Sequence, residues 1–184
     1  MIHTLKKIAM ILNAECVTWG LGGSTLLYHY GLVEKPRDLD IIIETKSVKQ
    51  VERLLLLIGY KMTPLRNDVY STEVFMEFVV DDVDVDIMAG FSISKGAFTY
   101  VYDFNASSVS NYMVIENEDV PLTSLEDWYI LYQMMPDRSD KVQLIEKYFL
   151  ENGIEHLHYL YEALLKPLPM EIKESVLQLI KKAK

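Results

Sequence analysis

The chain has 184 residues, 50% of them hydrophobic and 24% charged, with 8 glycines and 6 prolines; this is the make-up of one globular domain or a small domain with an appendage, and it excludes disordered, collagenous and low-complexity proteins. The longest apolar run, Leu54 to Ile58, is far short of the roughly 20 residues that cross a bilayer, so no membrane is expected as a partner. The net charge of −9 divides into +3 over residues 1–66, −13 over residues 67–137 and +1 over residues 138–184, and a middle block whose one base is Lys95 excludes the coating of a long nucleic acid, since affinity for phosphate backbones comes from Lys and Arg.

Lys6 and Lys7 precede only five apolar residues, Ile8 to Leu12, and Leu5, Ile8, Ala9 and Leu12 recur at helical spacing, so residues 3–14 are expected to be an amphipathic helix rather than an export signal. The single cysteine, Cys16, cannot staple the chain and is expected to be buried and inert, which agrees with a reducing, cytoplasmic setting. Val17 to Leu21 reads as a strand. Gly22 and Gly23 follow as a turn, and Ser24 and Thr25 are N-cap candidates for a helix through Tyr30 that Gly31 ends. Asp38 to Glu44 is a strand whose Ile41-Ile42-Ile43 run marks a doubly buried position, and Ser47 to Ile58 is a helix stopped by Gly59.

Tyr60 to Pro64, Val74 to Val80 and Val83 to Met88 read as strands, the last two joined by an Asp81-Asp82 turn. Phe98, Tyr100, Tyr102 and Phe104 alternate as one more strand or hairpin arm; Tyr100 and Tyr102 are either half-buried strand residues or a platform for a ring. From Thr123 the period becomes helical: Thr123 and Glu126 are spaced as a capping box for a helix through Met135, which Pro136 closes. Helices over 138–151, 154–165 and 170–183 follow, with His156 and His158 on different faces and no metal-ligand spacing. The fold class is α+β, a mixed sheet flanked by helices over residues 1–120 and a helical region over 121–184.

Three elements carry chemistry. Gly22-Gly23-Ser24 joins a strand to a helix, where glycines let main-chain N–H groups approach a phosphate and the helix start offers free donors; a purely structural turn has the same sequence. Asp38-Leu39-Asp40 leads into an apolar strand, and alternation puts both carboxylates on one face about 7 Å apart. Like charges there are costly unless a cation joins them, and oxygen donors of this kind suit Mg²⁺ or Mn²⁺; the alternative is a solvated strand end. Val83-Asp84-Val85-Asp86-Ile87 is a strand with one acidic face, which lines the same cation site or guards a sheet edge.

The order of these elements, with the phrases Trp19-Gly20-Leu21-Gly22-Gly23-Ser24, Arg37-Asp38-Leu39-Asp40 and Leu125-Glu126-Asp127-Trp128 and with Arg138 and Lys141 downstream, resembles the nucleotidyltransferase superfamily typified by DNA polymerase beta, including its minimal, lincosamide-type and aminoglycoside-type members. The resemblance covers roughly residues 15–142. It implies a nucleotidyltransferase-like fold and a metal-dependent enzyme that moves a nucleoside monophosphate from a nucleoside triphosphate such as ATP to a hydroxyl of a small molecule or protein, releasing pyrophosphate. Asp38, Asp40 and Asp86 would be the catalytic residues and the ligands of two Mg²⁺ or Mn²⁺ ions, with Asp84 as the alternative third carboxylate. Gly22, Gly23 and Ser24 would hold the phosphates, with Arg37 foremost among the basic candidates Lys35, Arg37, Lys95, Arg138 and Lys141. A homodimer or a protein partner would complete the acceptor pocket. The competing class is a non-catalytic module of the same fold, such as a toxin-antitoxin component acting through a protein partner.

Overall fold

The computed structural model describes residues 1–63 and 71–183. Helix α1 (Ile2–Ala14) buries Leu5, Ile8, Ala9 and Leu12, the set its spacing predicts. Strand β1 (Trp19–Leu21) runs into α2 (Gly23–His29), and β2 (Leu39–Ile43) is followed by a 3-10 turn at Thr45–Ser47 and by α3 (Val48–Leu55). Strands β3 (Tyr60–Lys61), β4 (Val74–Val80) and β5 (Val83–Ala89) come next. Asp81 and Asp82 both adopt positive φ, 49° and 59°, the backbone of a tight hairpin turn that short polar residues tolerate. Pro64, expected to end β3, lies outside the described residues.

Two hairpins complete the strands, β6 (Ser92–Lys95) with β7 (Phe98–Val101), and β8 (Val109–Ile115) with β9 (Glu118–Thr123). Among the described residues seven strands form one sheet in the order β3-β4-β5-β2-β1-β9-β8, and β6 and β7 form a separate ribbon. The sheet is mixed: β1 runs antiparallel to β2, while β2 runs parallel to β5 and β1 parallel to β9. Leu39, Ile41, Ile43, Val85 and Ile87 are fully buried and, by alternation, share the face opposite Asp40 and Asp86. α1 packs on β9 and α3, and α3 reaches β4, so these two helices cover the apolar face. The other face holds the acids.

The helical part comprises α4 (Leu125–Met134), α5 (Ser139–Asn152), α6 (Leu157–Leu164) and α7 (Met170–Lys182). The expected boundary at residue 121 falls within β9. α4 is buried along nearly its whole length and packs against α2, β6, α5 and α6, so it is a central pillar. Among the described residues no helix is long and apolar enough to cross a membrane.

Several local expectations are corrected. The cap of α4 is Ser124, whose hydroxyl accepts the Asp127 N–H at 2.9 Å. Thr123 instead donates to the Leu21 carbonyl at 2.9 Å, and Glu126 accepts the His156 N–H at 2.9 Å. α2 is capped by Gly22 with no side-chain bond, because Ser24 and Thr25 turn their hydroxyls to Asp38. Cys16 is exposed on a left-handed residue with φ of 52°. Tyr100 and Tyr102 are buried, at 1% and 4% exposure, so neither offers a face to a ligand. α6 starts later than expected, leaving His156 as its N-cap, and the His156 and His158 rings meet edge to face 6.1 Å apart.

Candidate active site

A cleft of about 1280 Å³ opens on the acidic face of the sheet, lined by Ser24, Arg37, Asp38, Asp40 and Asp86 among others. Register sets its floor: Asp40 on β2 stands opposite Asp86 on β5, and Asp86 stands opposite Glu77 on β4. Three carboxylates therefore form a row across adjacent strands, which lie about 4.8 Å apart. Asp84, one pleat further out, is exposed and outside the cleft lining.

The glycine turn packs tightly against this floor. The Gly22 N–H donates to the Asp40 carbonyl at 2.9 Å. Gly23 has φ of +57°, and a Cβ there would overlap the Asp40 carboxylate; a Cβ on Gly22 would overlap the Trp128 indole. Both positions require glycine for lack of space, and Gly23 also for its backbone. The Ser24 hydroxyl donates to Asp38 Oδ1 at 3.1 Å and accepts the Arg37 N–H at 3.0 Å, while the Thr25 hydroxyl donates to the Asp38 carbonyl at 2.8 Å. These bonds tie the first turn of α2 to the start of β2.

Burial, then the charges of Asp38 and Asp86, hold the Asp40 carboxyl well above the usual carboxylate range; a main-chain bond from Ser24 opposes the shift. Burial likewise pushes Asp86 up to about 7, with Asp38, Glu77 and Asp84 adding to the effect. Negative charge is thus packed more densely than the cleft neutralises. Lys35, Arg37, Arg138 and Lys141 all line it, whereas Lys95 donates to the Gln133 carbonyl at 2.7 Å and lies outside.

Among the described residues no group of three or more His, Cys, Asp or Glu side chains is drawn together as a ready-made metal cage. The donor chemistry nevertheless fits Mg²⁺, which is held by one or two carboxylates together with substrate phosphates and water rather than by an all-protein shell. Asp40, crowded by two further acids, is the group a divalent cation would relieve.

Several residues of the cleft carry no expectation from the sequence, Glu77, Trp128 and Tyr132 among them. Glu77 is the one charged residue of β4, and that isolation within an apolar strand is the signal that could have found it. Trp128 stacks near Tyr132, with ring centroids 5.2 Å apart, and both line the cleft. Their helical spacing is equally that of a core helix, so nothing in the sequence separates the two uses.

A strand, glycine turn and helix set beside paired acids on a mixed sheet define the nucleotidyltransferase class. Solved structures share the fold. TM1012 of Thermotoga maritima, assigned as a nucleotidyltransferase, is 21% identical with a TM-score of 0.61 over 82% of this chain and 92% of that one. ANT(2'')-Ia in complex with adenylyl-2''-tobramycin is 14% identical with a TM-score of 0.55 over 80% of this chain and 88% of that one. The lincosamide antibiotic adenylyltransferase LnuA, lincomycin-bound, is 16% identical with a TM-score of 0.51 over 78% and 95%. No curated sequence matches the chain significantly. The model of the aminoglycoside-2''-adenylyltransferase family matches residues 4–147, and the chain belongs to that family. It is a nucleotidyltransferase.

Proposed function

We propose that this enzyme transfers a nucleoside monophosphate from a nucleoside triphosphate to a hydroxyl of a small molecule, with pyrophosphate leaving. The observation that carries the reading is the register of Asp40 opposite Asp86 on the floor of a cleft beside the glycine turn. At about 1280 Å³ the cleft exceeds the roughly 300–1,000 Å³ of a site for one drug-sized ligand, which leaves room for donor and acceptor together. That ANT(2'')-Ia carries an adenylylated tobramycin and LnuA a bound lincomycin supports an acceptor of antibiotic size.

Gly22, Gly23 and Ser24 bind the β and γ phosphates at the mouth of α2, and Arg37, Arg138 and Lys141 neutralise them from the rim. Asp38, Asp40 and Asp86 would hold two divalent ions, Mg²⁺ or Mn²⁺, which would supply neutralisation of the charge that develops during the transfer. Asp86 faces the acceptor and takes its hydroxyl proton as the oxygen bonds to the α phosphorus and the bond from that phosphorus to the bridging oxygen breaks. Most of the acceleration comes from holding the reactants in line.

The reading is tested by incubating the protein with Mg²⁺, one of ATP, GTP, CTP or UTP, and tobramycin or lincomycin. Pyrophosphate release and an acceptor heavier by one nucleoside monophosphate are expected for at least one pair; no mass gain with any pair counts against the transfer.

A further inference from the structure

We propose that Thr25 is a positioning residue for Asp38: its hydroxyl, bound to the Asp38 carbonyl, sets where the Asp38 carboxylate meets a divalent ion. This rests on the transfer reading above and adds the residue that keeps one of its three carboxylates in place.

Sheet register does not hold Asp38. Asp40 and Asp86 stand opposite each other within the β2-β5 ladder, and Asp40 is tied from its other side as well, where its carbonyl accepts the Gly22 N–H at 2.9 Å. β2 begins at Leu39, so Asp38 precedes the ladder, and residues 30–38 form neither helix nor strand. A residue at the end of such a stretch keeps backbone freedom that the ladder removes from its neighbours. Ligands that share an ion have to be held to within about 0.5 Å, so Asp38 needs anchors of its own.

Two hydroxyls in the first turn of α2 supply them. Ser24 donates to Asp38 Oδ1 at 3.1 Å, and Thr25 donates to the Asp38 carbonyl at 2.8 Å. The two bonds differ in what competes for them. Ser24 lines the cleft, and its one hydroxyl proton cannot serve Asp38 and a phosphate together, so the bond to Oδ1 is given up when that hydroxyl turns to the triphosphate. Thr25 is 1% exposed and outside the cleft lining, so no ligand reaches its proton. A buried hydroxyl keeps the partner it has, because leaving it unpaired is costly. The tie on the Asp38 main chain therefore persists in the state in which the carboxylate takes up a metal.

Groups that orient a metal ligand without touching the metal change metal affinity by roughly 10- to 100-fold when removed. Thr25→Val isolates this effect, since it keeps the branched shape and removes only the hydroxyl. Thr25→Ser keeps the hydroxyl and removes the methyl.

The experiment compares the parent protein with these two variants and with Tyr129→Phe, which loses a hydroxyl hydrogen-bonded to that of Ser175 at 3.0 Å. Thermal shift at saturating ATP with increasing Mg²⁺ gives the Mg²⁺ concentration at half of the response. Amide hydrogen exchange read by NMR compares Arg37, Asp38 and Leu39 with Ile41, Ile42 and Ile43. Thr25→Val is expected to raise the Mg²⁺ concentration roughly 10- to 100-fold and to speed exchange at residues 37–39 alone. Thr25→Ser should restore both readings, and Tyr129→Phe should change neither, even where it lowers the melting temperature. Thr25→Ala, which also lacks the hydroxyl, carries the same expectation and takes the place of Thr25→Val if valine prevents folding. The proposal is overturned if the variants without the hydroxyl keep the Mg²⁺ dependence of the parent, if Thr25→Ser does not restore it, or if Tyr129→Phe shifts it as far, which would make the effect one of stability alone. A parent protein that does not respond to ATP with Mg²⁺ would remove the transfer reading, and exchange would then decide the role of Thr25: faster exchange confined to residues 37–39 leaves it as the anchor of Asp38, and unchanged exchange removes that role too.

Discussion

The Trp128 indole N–H donates to the Thr123 hydroxyl at 2.8 Å, and that hydroxyl donates in turn to the Leu21 carbonyl at 2.9 Å, the last residue before the glycine turn. Trp128 also occupies the space a Cβ on Gly22 would need. The first turn of α4 is thereby braced against the loop proposed to hold phosphate. Trp128→Phe removes the donor and leaves the fully buried Thr123 short of a partner, a loss of about 1–3 kcal/mol. At this chain length the melting temperature should fall by roughly 3–10 °C, and stabilisation by ATP with Mg²⁺ should weaken. Trp19→Phe, which loses an equivalent bond to Asn13 Oδ1 at 3.0 Å, is the control: it should cost comparable stability and leave the nucleotide response unchanged. Matched losses of nucleotide response in the two variants would contradict the bracing.

Gly23 and Gly96 have nearly the same backbone, φ of +57° and +60°, but different surroundings: the first abuts the Asp40 carboxylate and the second faces open space. Gly96→Ala should cost only the left-handed strain, about 1–2 kcal/mol, with nucleotide binding intact. Gly23→Ala adds a displacement of Asp40 and should abolish stabilisation by ATP. Titrating both variants by thermal shift separates strain from displacement.

Asp127 provides a pH signature away from the proposed metal ligands. Burial raises its carboxyl from 3.8 to about 6, against opposing hydrogen bonds from Ser124 and Tyr102. A carboxyl whose folded pKa is raised favours folding in its protonated form, so this contribution is complete below about pH 3.8 and is lost as pH rises through about 6. The loss is on the order of 3 kcal/mol. Ser124 and Tyr102 both donate to the one oxygen, Oδ2, and an amide oxygen can accept both. Urea denaturation between pH 3.5 and 7 should therefore show a steeper decline in the parent than in Asp127→Asn, which keeps only the declines that the raised carboxyls of Asp40 and Asp86 bring, whereas parallel curves would mean that the group titrates alike in both states.

Much of this was legible in the sequence where one signal dominated. β4 and β5 appear where alternation and the Asp81-Asp82 turn put them, and α1 and α2 follow from helical spacing and from Gly31. The β8-β9 hairpin was not legible. Its turn, Glu116-Asn117, takes positive φ at both residues, 47° and 72°, without the glycine that normally signals it, and Pro121 argues against a strand. Pro121 is tolerated because β1 asks β9 for a single register pair, Leu21 with Leu122. The cap of α4 was misplaced by one residue because Thr123-x-x-Glu126 and Ser124-x-x-Asp127 fit the same pattern; what separates them is the distant Leu21 carbonyl and the His156 N–H, which only the folded chain supplies.

The cleft residues divide in the same way. Asp38 and Asp40 stand out as paired acids at the mouth of an apolar strand and Ser24 as the end of a glycine turn, whereas Arg37 and the choice of Asp86 over Asp84 come from the resemblance to the family. Glu77 enters through the β4-β5 register, a relationship between strands that local spacing does not contain.

The central claim, a triphosphate site built on metal-binding carboxylates, is tested most directly by the melting temperature of the parent and of Asp40→Asn with ATP and Mg²⁺ and with ATP and EDTA. Asp40→Asn relieves a repulsion and should melt no lower than the parent when unliganded. Ligand at 100 times its Kd contributes about 2.7 kcal/mol, so the parent should gain about 5–10 °C with Mg²⁺ and little with EDTA, and Asp40→Asn should gain little in either. An equal rise in Asp40→Asn, or a rise in the parent that survives EDTA, would contradict the claim.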